Sequence, residues 1–346
     1  MRNIFGGYGS VEAPQWLMYS SSFVQNSFVF LFLLVFLKDV ASLISLCFGP
    51  KRTAGFRKML VGKWCVIVLL VLSCALSLTG LYNAAKVPEV RKSEIVIDDW
   101  PKGLDGLTVA ILADMHISTF FDRRWVQQVV DRTMALKPEL IVLPGDMVDG
   151  TPPMRADDVA PLAQLDAPYG VFACVGNHEY ISQLQQWLPV FEELGIKMLY
   201  NSHEVIAPRG IPFILAGLTD ITALSSRYDL MGPNLNMALE GAPEGLKVVL
   251  LEHRPIRAKQ NALDERIILQ LSGHTHGGMM PLLSLFVKMA NDGYVRDWYT
   301  VGSLKLFVQP GLGLWNGFPV RLMDPSEITL LTIRSGDAAR SGASVG

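Results

Sequence analysis

LTVAILADMH, residues 107–116, carries a β-type run straight into an aspartate and a histidine two positions apart. Leu107–Ala113 has the continuous apolar character of a strand covered on both faces. The same design returns four times: LIVLP before Gly145-Asp146, VFACV before Gly176-Asn177-His178-Glu179, VVLLE before His253, and IILQLS before Gly273-His274-Thr275-His276. Five of the six histidines thus stand just past a strand-like run, beside Asp, Asn or Gly. Strand C-termini in α/β sheets converge on one rim, where ligands bind. Side chains two apart on an extended segment point the same way, so Asp114 with His116, and His274 with His276, are each expected to aim two donors at one place. Glycines 145, 176 and 273 are expected to let the backbone turn tightly there. Carboxylate and imidazole donors without thiolate suit Mn, Fe or Zn, and the pattern reads as a dinuclear metal site.

Outward from these runs, Arg123–Leu136 and Ile181–Leu194 have helical spacing, and further strands are expected at Phe213–Gly217, Lys247–Leu251, Ile267–Leu271, Leu306–Val308 and Glu327–Ile333. The β-α-β-α order implies an α/β domain over residues 104–333, large enough for two sheets. Residues 87–103, charged and with two prolines, read as an exposed connector, and 334–346, small and polar, as a disordered tail.

Residues 1–86 differ in kind. The whole chain is 50% hydrophobic and only 18% charged, which excludes disorder as its general description and places part of it in lipid. Two stretches account for the excess, Trp16–Leu37, weakened by Ser20, Ser21, Ser22, Gln25 and Asn26, and the cleaner Trp64–Ala85. Each has 22 residues, about enough to cross a ~30 Å hydrocarbon core. Lys38, Lys51, Arg52, Arg57, Lys58 and Lys63 lie between them, against Arg2 alone before the first, so the loop is expected in the cytoplasm and everything after the second span outside it. That makes a multi-pass protein of the cytoplasmic (inner) membrane with an extracytoplasmic domain. A net charge of −2 provides no positive field for nucleic acid, and cysteines 47, 65, 74 and 174 form no metal or disulfide pattern.

DxH, GDxxD, GNHE, a lone His after a strand and GHTH, in this order, resemble the calcineurin-like metallophosphoesterases. The closing run PGLGLWNGFPVRLMDPSEITLLTI is similar to the bacterial integral-membrane branch of that family. The resemblance implies a four-layer αββα sandwich behind two N-terminal transmembrane helices. It implies that Asp114, His116 and His276 hold one divalent ion, that Asn177, His253 and His274 hold a second, that Asp146 bridges both, and that His178 stands above the pair as the catalytic residue without ligating. Such a pair clamps a phosphoryl group while the hydroxide it shares attacks phosphorus in line, and a nearby imidazole assisting the leaving oxygen contributes on the order of 10²–10⁴ in rate. The expected protein is a membrane-anchored phosphohydrolase, phosphodiesters favoured, working beside the lipid bilayer on a phosphorylated small molecule or lipid. The rival reading is a non-catalytic membrane sensor or scaffold that binds phosphorylated ligands through the metals.

Plainer roles are expected for neighbours: Asp149 as a strand-end cap or hydrogen-bond partner of a ligand, Glu179 as a helix cap, His203 as an ordinary turn histidine, Arg254 as an exposed arginine, and Trp315 and Phe318 as packing aromatics. Gly277-Gly278 is expected to let a loop approach the metals, with Met279 and Met280 after it.

Overall fold

The computed structural model describes residues 13–225, 227, 230–315 and 317–336. Arg2 and residues 337–346 lie outside these, and with them the expected N-terminal basic flank and most of the expected tail. Among the described residues the α-helices are α1 (Gln15–Ser45), α2 (Ala54–Leu60), α3 (Lys63–Ala85), α4 (Arg123–Ala135), α5 (Pro152–Val159), α6 (Asn177–Ile181), α7 (Leu184–Glu193), α8 (Leu235–Ala238), α9 (Ala258–Asn261) and α10 (Pro281–Ala290). The strands are β1 (Glu89–Ile97), β2 (Leu107–Ile111), β3 (Leu140–Pro144), β4 (Val171–Cys174), β5 (Lys197–Met198), β6 (Ser202–Ile206), β7 (Phe213–Gly217), β8 (Val248–Leu251), β9 (Ile267–Ser272), β10 (Asp297–Val301), β11 (Leu304–Val308) and β12 (Glu327–Ser335).

Two mixed six-stranded sheets result, ordered β1-β12-β2-β3-β4-β5 and β10-β11-β9-β8-β7-β6. Leu107, Val109 and Ile111 from one and Leu215, Leu251 and Leu271 from the other fill the layer between them. Because strand side chains alternate, the opposite faces bury Ala110 and Ile141 under α4, and Ile214 and Val248 under the α8 and α9 side. Asp122 caps α4 by accepting from the Arg124 and Trp125 N–H groups, and Trp125, Val126, Val129 and Val130 form its buried stripe. This is the four-layer α/β sandwich expected. β2, β3 and β4 run parallel to one another, as do β8 and β9, so the loops that follow them open on a common rim.

Several elements depart from the sequence reading. The supposed connector 87–103 contains β1, an edge strand that pairs in parallel with β12 over nine residues; Lys92 and Glu94 point outward, while Arg91, on the opposite face, is half-buried and paired with Asp297 and Glu327. β12 in turn takes in Arg334 and Ser335, assigned to the tail. The expected helix Ile181–Leu194 is two helices, broken at Gln183 (φ 72°), because the Ser182 hydroxyl is tied to the 148–150 loop through Val148 O and Gly150 N–H. The first apolar helix continues past Leu37 to Ser45, with Lys38 and Asp39 paired 2.8 Å apart within it. Met18, Ser22, Asn26 and Phe30, spaced by four, form its buried stripe, so two of the five polar residues that weaken the span, Ser22 and Asn26, sit on its inner face while Ser20, Ser21 and Gln25 are exposed. Gln25 and Asn26 donate to the Gly317 and Pro319 carbonyls. Gln15–Phe48 and Lys63–Ala85 are both long and apolar enough to cross a membrane, and little of either is buried against the rest of the protein.

Candidate metal centre

Each loop at the rim delivers its polar side chains from the end of a strand. Asp114 and His116 follow β2, Asp146 follows β3, Asn177 and His178 open α6 after β4, His253 follows β8, and His274 and His276 follow β9. All eight side chains singled out in the sequence meet there. Donor atoms of Asp114, His116 and His276 lie within 4.8 Å of one another, and so do those of Asp146, His253 and His274. Asp146 joins the two groups: its Oδ2 is 3.7 Å from His116 Nε2 and 3.1 Å from His253 Nε2. The latter contact lacks hydrogen-bond alignment, and His116 Nε2, His253 Nε2 and Asn177 Oδ1 are buried with no hydrogen-bond partner. Buried polar atoms are rarely left so. Nitrogen and oxygen donors facing one another across 3–4 Å without bonding are the arrangement that ligands of shared cations adopt, and the donor set suits divalent Mn, Fe or Zn.

The convergence works differently from the period-two argument. Asp114, His116, Asp146, His274 and His276 all have φ between 47° and 71°, so the segments that carry them are left-handed turns rather than extended strand. Non-glycine residues adopt that region seldom, and several together mark a site where backbone strain is held by its surroundings. Gly145 does turn, at φ 84°, but Gly176 and Gly273 serve close approach instead. A Cβ on Gly176 would stand 2.2 Å from Asp146 Oδ1, and one on Gly273 would stand 2.3 Å from Asp114 Oδ2.

A second layer of groups fixes these side chains. The Pro144 carbonyl lies 2.8 Å from His253 Nδ1, which therefore carries the proton and leaves Nε2 as the donor. Asp114 accepts from the His274 N–H, and Asp146 Oδ1 from the His178 N–H at 2.8 Å. Asp149 Oδ1 sits 2.6 Å from His178 Nδ1 and 3.3 Å from His116 Nδ1. Those three could be taken for another ligand trio. The 2.6 Å separation is that of a charge-assisted hydrogen bond, so Asp149 orients the two rings. Glu179 caps α6 through the Gly176 N–H, as expected, and also accepts from the N–H groups of Asp146, Met147 and Val148, locking two rim loops together.

Arg321 has no counterpart in the sequence reading. Fully buried, its guanidinium donates to the carbonyls of His276, Pro310, Gly311 and Gly313. Its own N–H donates to Gly80 O and its carbonyl accepts from Asn83 Nδ2, both on α3. One residue therefore ties the His276 loop to the apolar helix pair.

Electrostatics follow from burial and proximity. Burial, reinforced by Asp146, raises Asp114 to about 6 against the pull of His253 and His116. Burial also holds His274 and His276 well below the usual histidine range. For His178 burial opposes the charge, but Asp149 and Asp146 outweigh it and raise the ring to about 10. The rim thus sets the oxygens of Asp114 and Asp146 against two imidazoles held neutral, those of His274 and His276, and two held charged, those of His178 and His253, the latter raised to about 10 by Asp146 against the effect of burial.

A cavity of about 440 Å³ opens on the rim, lined on one side by Asp146, Asn177, His178, His274 and His276. Trp315 lines it too, its ring 5.1 Å from that of His276, rather than acting only in packing. Gly277 and Gly278 bring Met279 to the same wall. His203 lies apart on β6, bonded to Ala238 O, and Arg254 is ion-paired with Asp220, only partly exposed.

A family model described as calcineurin-like phosphoesterase matches residues 107–278. The chain is 30% identical to a transmembrane protein with metallophosphoesterase domain from Danio rerio, over 93% of this chain and 74% of that one. A protein of the same description from Bos taurus is 31% identical, over 77% of this chain and 61% of its own length. An uncharacterized metallophosphoesterase, Cj0846, from Campylobacter jejuni is 30% identical, over 77% of this chain and 68% of its own.

Proposed function

Because the chain belongs to the calcineurin-like phosphoesterase family and is a metal-dependent phosphoesterase, we propose that it is a membrane-anchored phosphohydrolase with a dinuclear centre, acting on phosphodiesters, with lipid or envelope substrates favoured. Asp114, His116 and His276 would hold one divalent ion and Asn177, His253 and His274 the other, with Asp146 as the ligand common to both. The observation that carries this assignment is the set of buried, unpartnered donors His116 Nε2, His253 Nε2 and Asn177 Oδ1 around the two acidic side chains. Two Mn, Fe or Zn ions supply Lewis acidity toward phosphoryl oxygens and a nucleophile at neutral pH.

The side chains perform the remaining work. His178, turned by Asp149 through Nδ1, presents Nε2 to the cavity and protonates the leaving alkoxide. Asp149, 2.6 Å from Nδ1, favours the charged, proton-donating form of that ring. No Lys or Arg among the described residues lines the cavity, so charge recognition of a phosphoryl group there would fall to the metals and to His178.

Two spans, a basic cytoplasmic loop and an extracytoplasmic catalytic domain in the inner membrane complete the reading; the Danio rerio and Bos taurus relatives are named as transmembrane proteins. C-terminal fusions test the orientation, an alkaline phosphatase being active and a fluorescent protein dark. Purified full-length protein with Mn²⁺ is expected to hydrolyse bis-p-nitrophenyl phosphate with a higher kcat/KM than p-nitrophenyl phosphate, with elemental analysis finding two metals per chain. The opposite ratio would overturn the diester preference, and metal binding without turnover of either would leave a site that only binds phosphorylated ligands.

A further inference from the structure

The cavity at the rim has two unlike walls. Opposite the histidines stand Leu283, Phe286, Val287 and Ala290, all from α10. Their spacing of three and four residues makes them one face of that helix. The other side of α10 is equally apolar: Leu282 is 55%, Leu285 60% and Met289 82% exposed. Lys288 is the helix's one charge, and none of its residues is buried. Apart from the narrow stripe of Ser284 and Lys288, one turn apart, the helix is apolar round its circumference yet has no buried residue, the character of a helix lying in a membrane interface.

Its position says what covers it. Met280 and Leu283, at its root, form one cluster with Phe30 and Leu33 of α1 and Leu76 of α3. The body of the domain meets α1 much earlier, at Tyr19, whose ring lies 4.6 Å from that of Phe120. Phe30 is eleven residues further on, about 16 Å along a helix axis. α10 therefore leaves the domain beside the stretch of α1 where Phe28, Phe32 and Phe36 are 55–70% exposed. Its bare face continues the apolar surface of the helix pair.

We propose that α10 lies in the bilayer interface alongside α1 and α3, and that the cavity behind it takes the acyl end of a phosphorylated membrane lipid, bringing the lipid's phosphoryl group to the histidine rim. The inference rests on the phosphoesterase reading only for what happens to that phosphoryl group. Lys288 can extend its ammonium to lipid phosphates while its stem stays among the apolar side chains. Catalytic cleft and membrane are then joined sideways, and the substrate need not leave the bilayer.

Full-length protein in phosphatidylcholine vesicles containing phosphatidylglycerol with a diazirine in one acyl chain is the test. After illumination, mass spectrometry is expected to find at least tenfold more label per residue on 281–290 than around Leu263, which is 82% exposed at the end of α9, and to find it on the half-buried Leu283 and Val287 as well as on the exposed side chains, Phe286 at 65% among them. Excess unlabelled phosphatidylglycerol should remove the label from Leu283 and Val287. Label confined to α1 and α3 would overturn the immersion of α10, and label stopping at Leu282, Leu285, Phe286 and Met289 would overturn the lipid substrate. Turnover of bis-p-nitrophenyl phosphate by the same vesicles reports separately on the phosphoesterase reading: its loss would sink that reading, and the labelling would still decide this one.

Discussion

The rim and the N-terminal helix pair break opposite rules of globular packing. At the rim, polar atoms such as His116 Nε2 and His253 Nε2 are buried with nothing to bond. Along α1 and α3, large apolar side chains stand bare, Trp16 and Phe32 at about 70% exposure and Trp64 and Tyr82 likewise. Either arrangement would be costly in a soluble protein folded alone. Each ceases to be a violation once a missing component is supplied, cations in the first case and hydrocarbon in the second. The difference teaches that departures from the packing rules have a sign, and the sign names the chemistry of what is absent.

Removing the central acidic group of the rim breaks the comparison at its strongest point. Asp146→Ala leaves His116 Nε2 and His253 Nε2 without the oxygen that faces both. It is expected to lower kcat/KM on bis-p-nitrophenyl phosphate by about 10⁴-fold or more, since a bound metal supplies several kcal/mol of charge stabilisation and each 1.36 kcal/mol is tenfold. Elemental analysis of the same preparation should find the metal content at half or less. Full metal with full activity would remove Asp146 from the centre.

His178→Ala separates chemistry from metal binding at the same rim. Its ring faces the cavity and bonds to Asp149, and none of the buried unpartnered atoms belongs to it. Turnover is expected to fall about 10²- to 10⁴-fold, the range of proton-transfer assistance, with metal content unchanged. Loss of both metals together would make it a ligand instead.

Much of the rim was legible because its residues are rare and sit in short local patterns: a histidine or aspartate directly after a strand run, five times in order. What stayed hidden is non-local or conformational. Arg321 bonds to carbonyls from two loops, and nothing in FPVRLM announces that its side chain folds inward. Left-handed φ at Asp114 or His276 leaves no trace in residue type, so the convergence was correct while its supposed cause, period-two alternation, was not. β1 was missed because its partner lies more than two hundred residues away, and a charged edge strand looks like a linker when read alone. The helix pair is visible by hydropathy, but Ser22 and Asn26 read as flaws in a span although both are buried, Asn26 donating to the Pro319 carbonyl.

Phe32→Lys tests the other half of the comparison. In water, a lysine at a position 70% exposed changes stability by no more than about 0.5 kcal/mol. In a bilayer it costs about 2.5–3.5 kcal/mol near the helix centre. With α3 still holding the chain in the membrane, the expected outcome is a lowered midpoint of thermal unfolding for the variant in vesicles. An unchanged midpoint would mean that α1 lies against water, and the bare phenylalanines would need another cover.

A milder effect is expected at Asp149, whose Oδ1 bonds to both rings although its Oδ2 is buried without a partner. Asp149 is buried, and its Oδ1 reaches both His116 and His178. Asp149→Asn keeps the shape and removes the charge, so the rings lose their preferred orientation while every proposed ligand remains. Outer partners of this kind contribute about 10- to 100-fold to activity or metal affinity. A fall in kcat of that size with KM nearly constant is expected if Asp149 acts through His178, because substrate binding does not depend on it. A parallel loss of metal would instead shift the effect to His116, whose Nδ1 shares the same oxygen. A loss of the size expected for Asp146→Ala would mean that Asp149 is itself a ligand, and the 2.6 Å contact to His178 would have been misjudged as orientation.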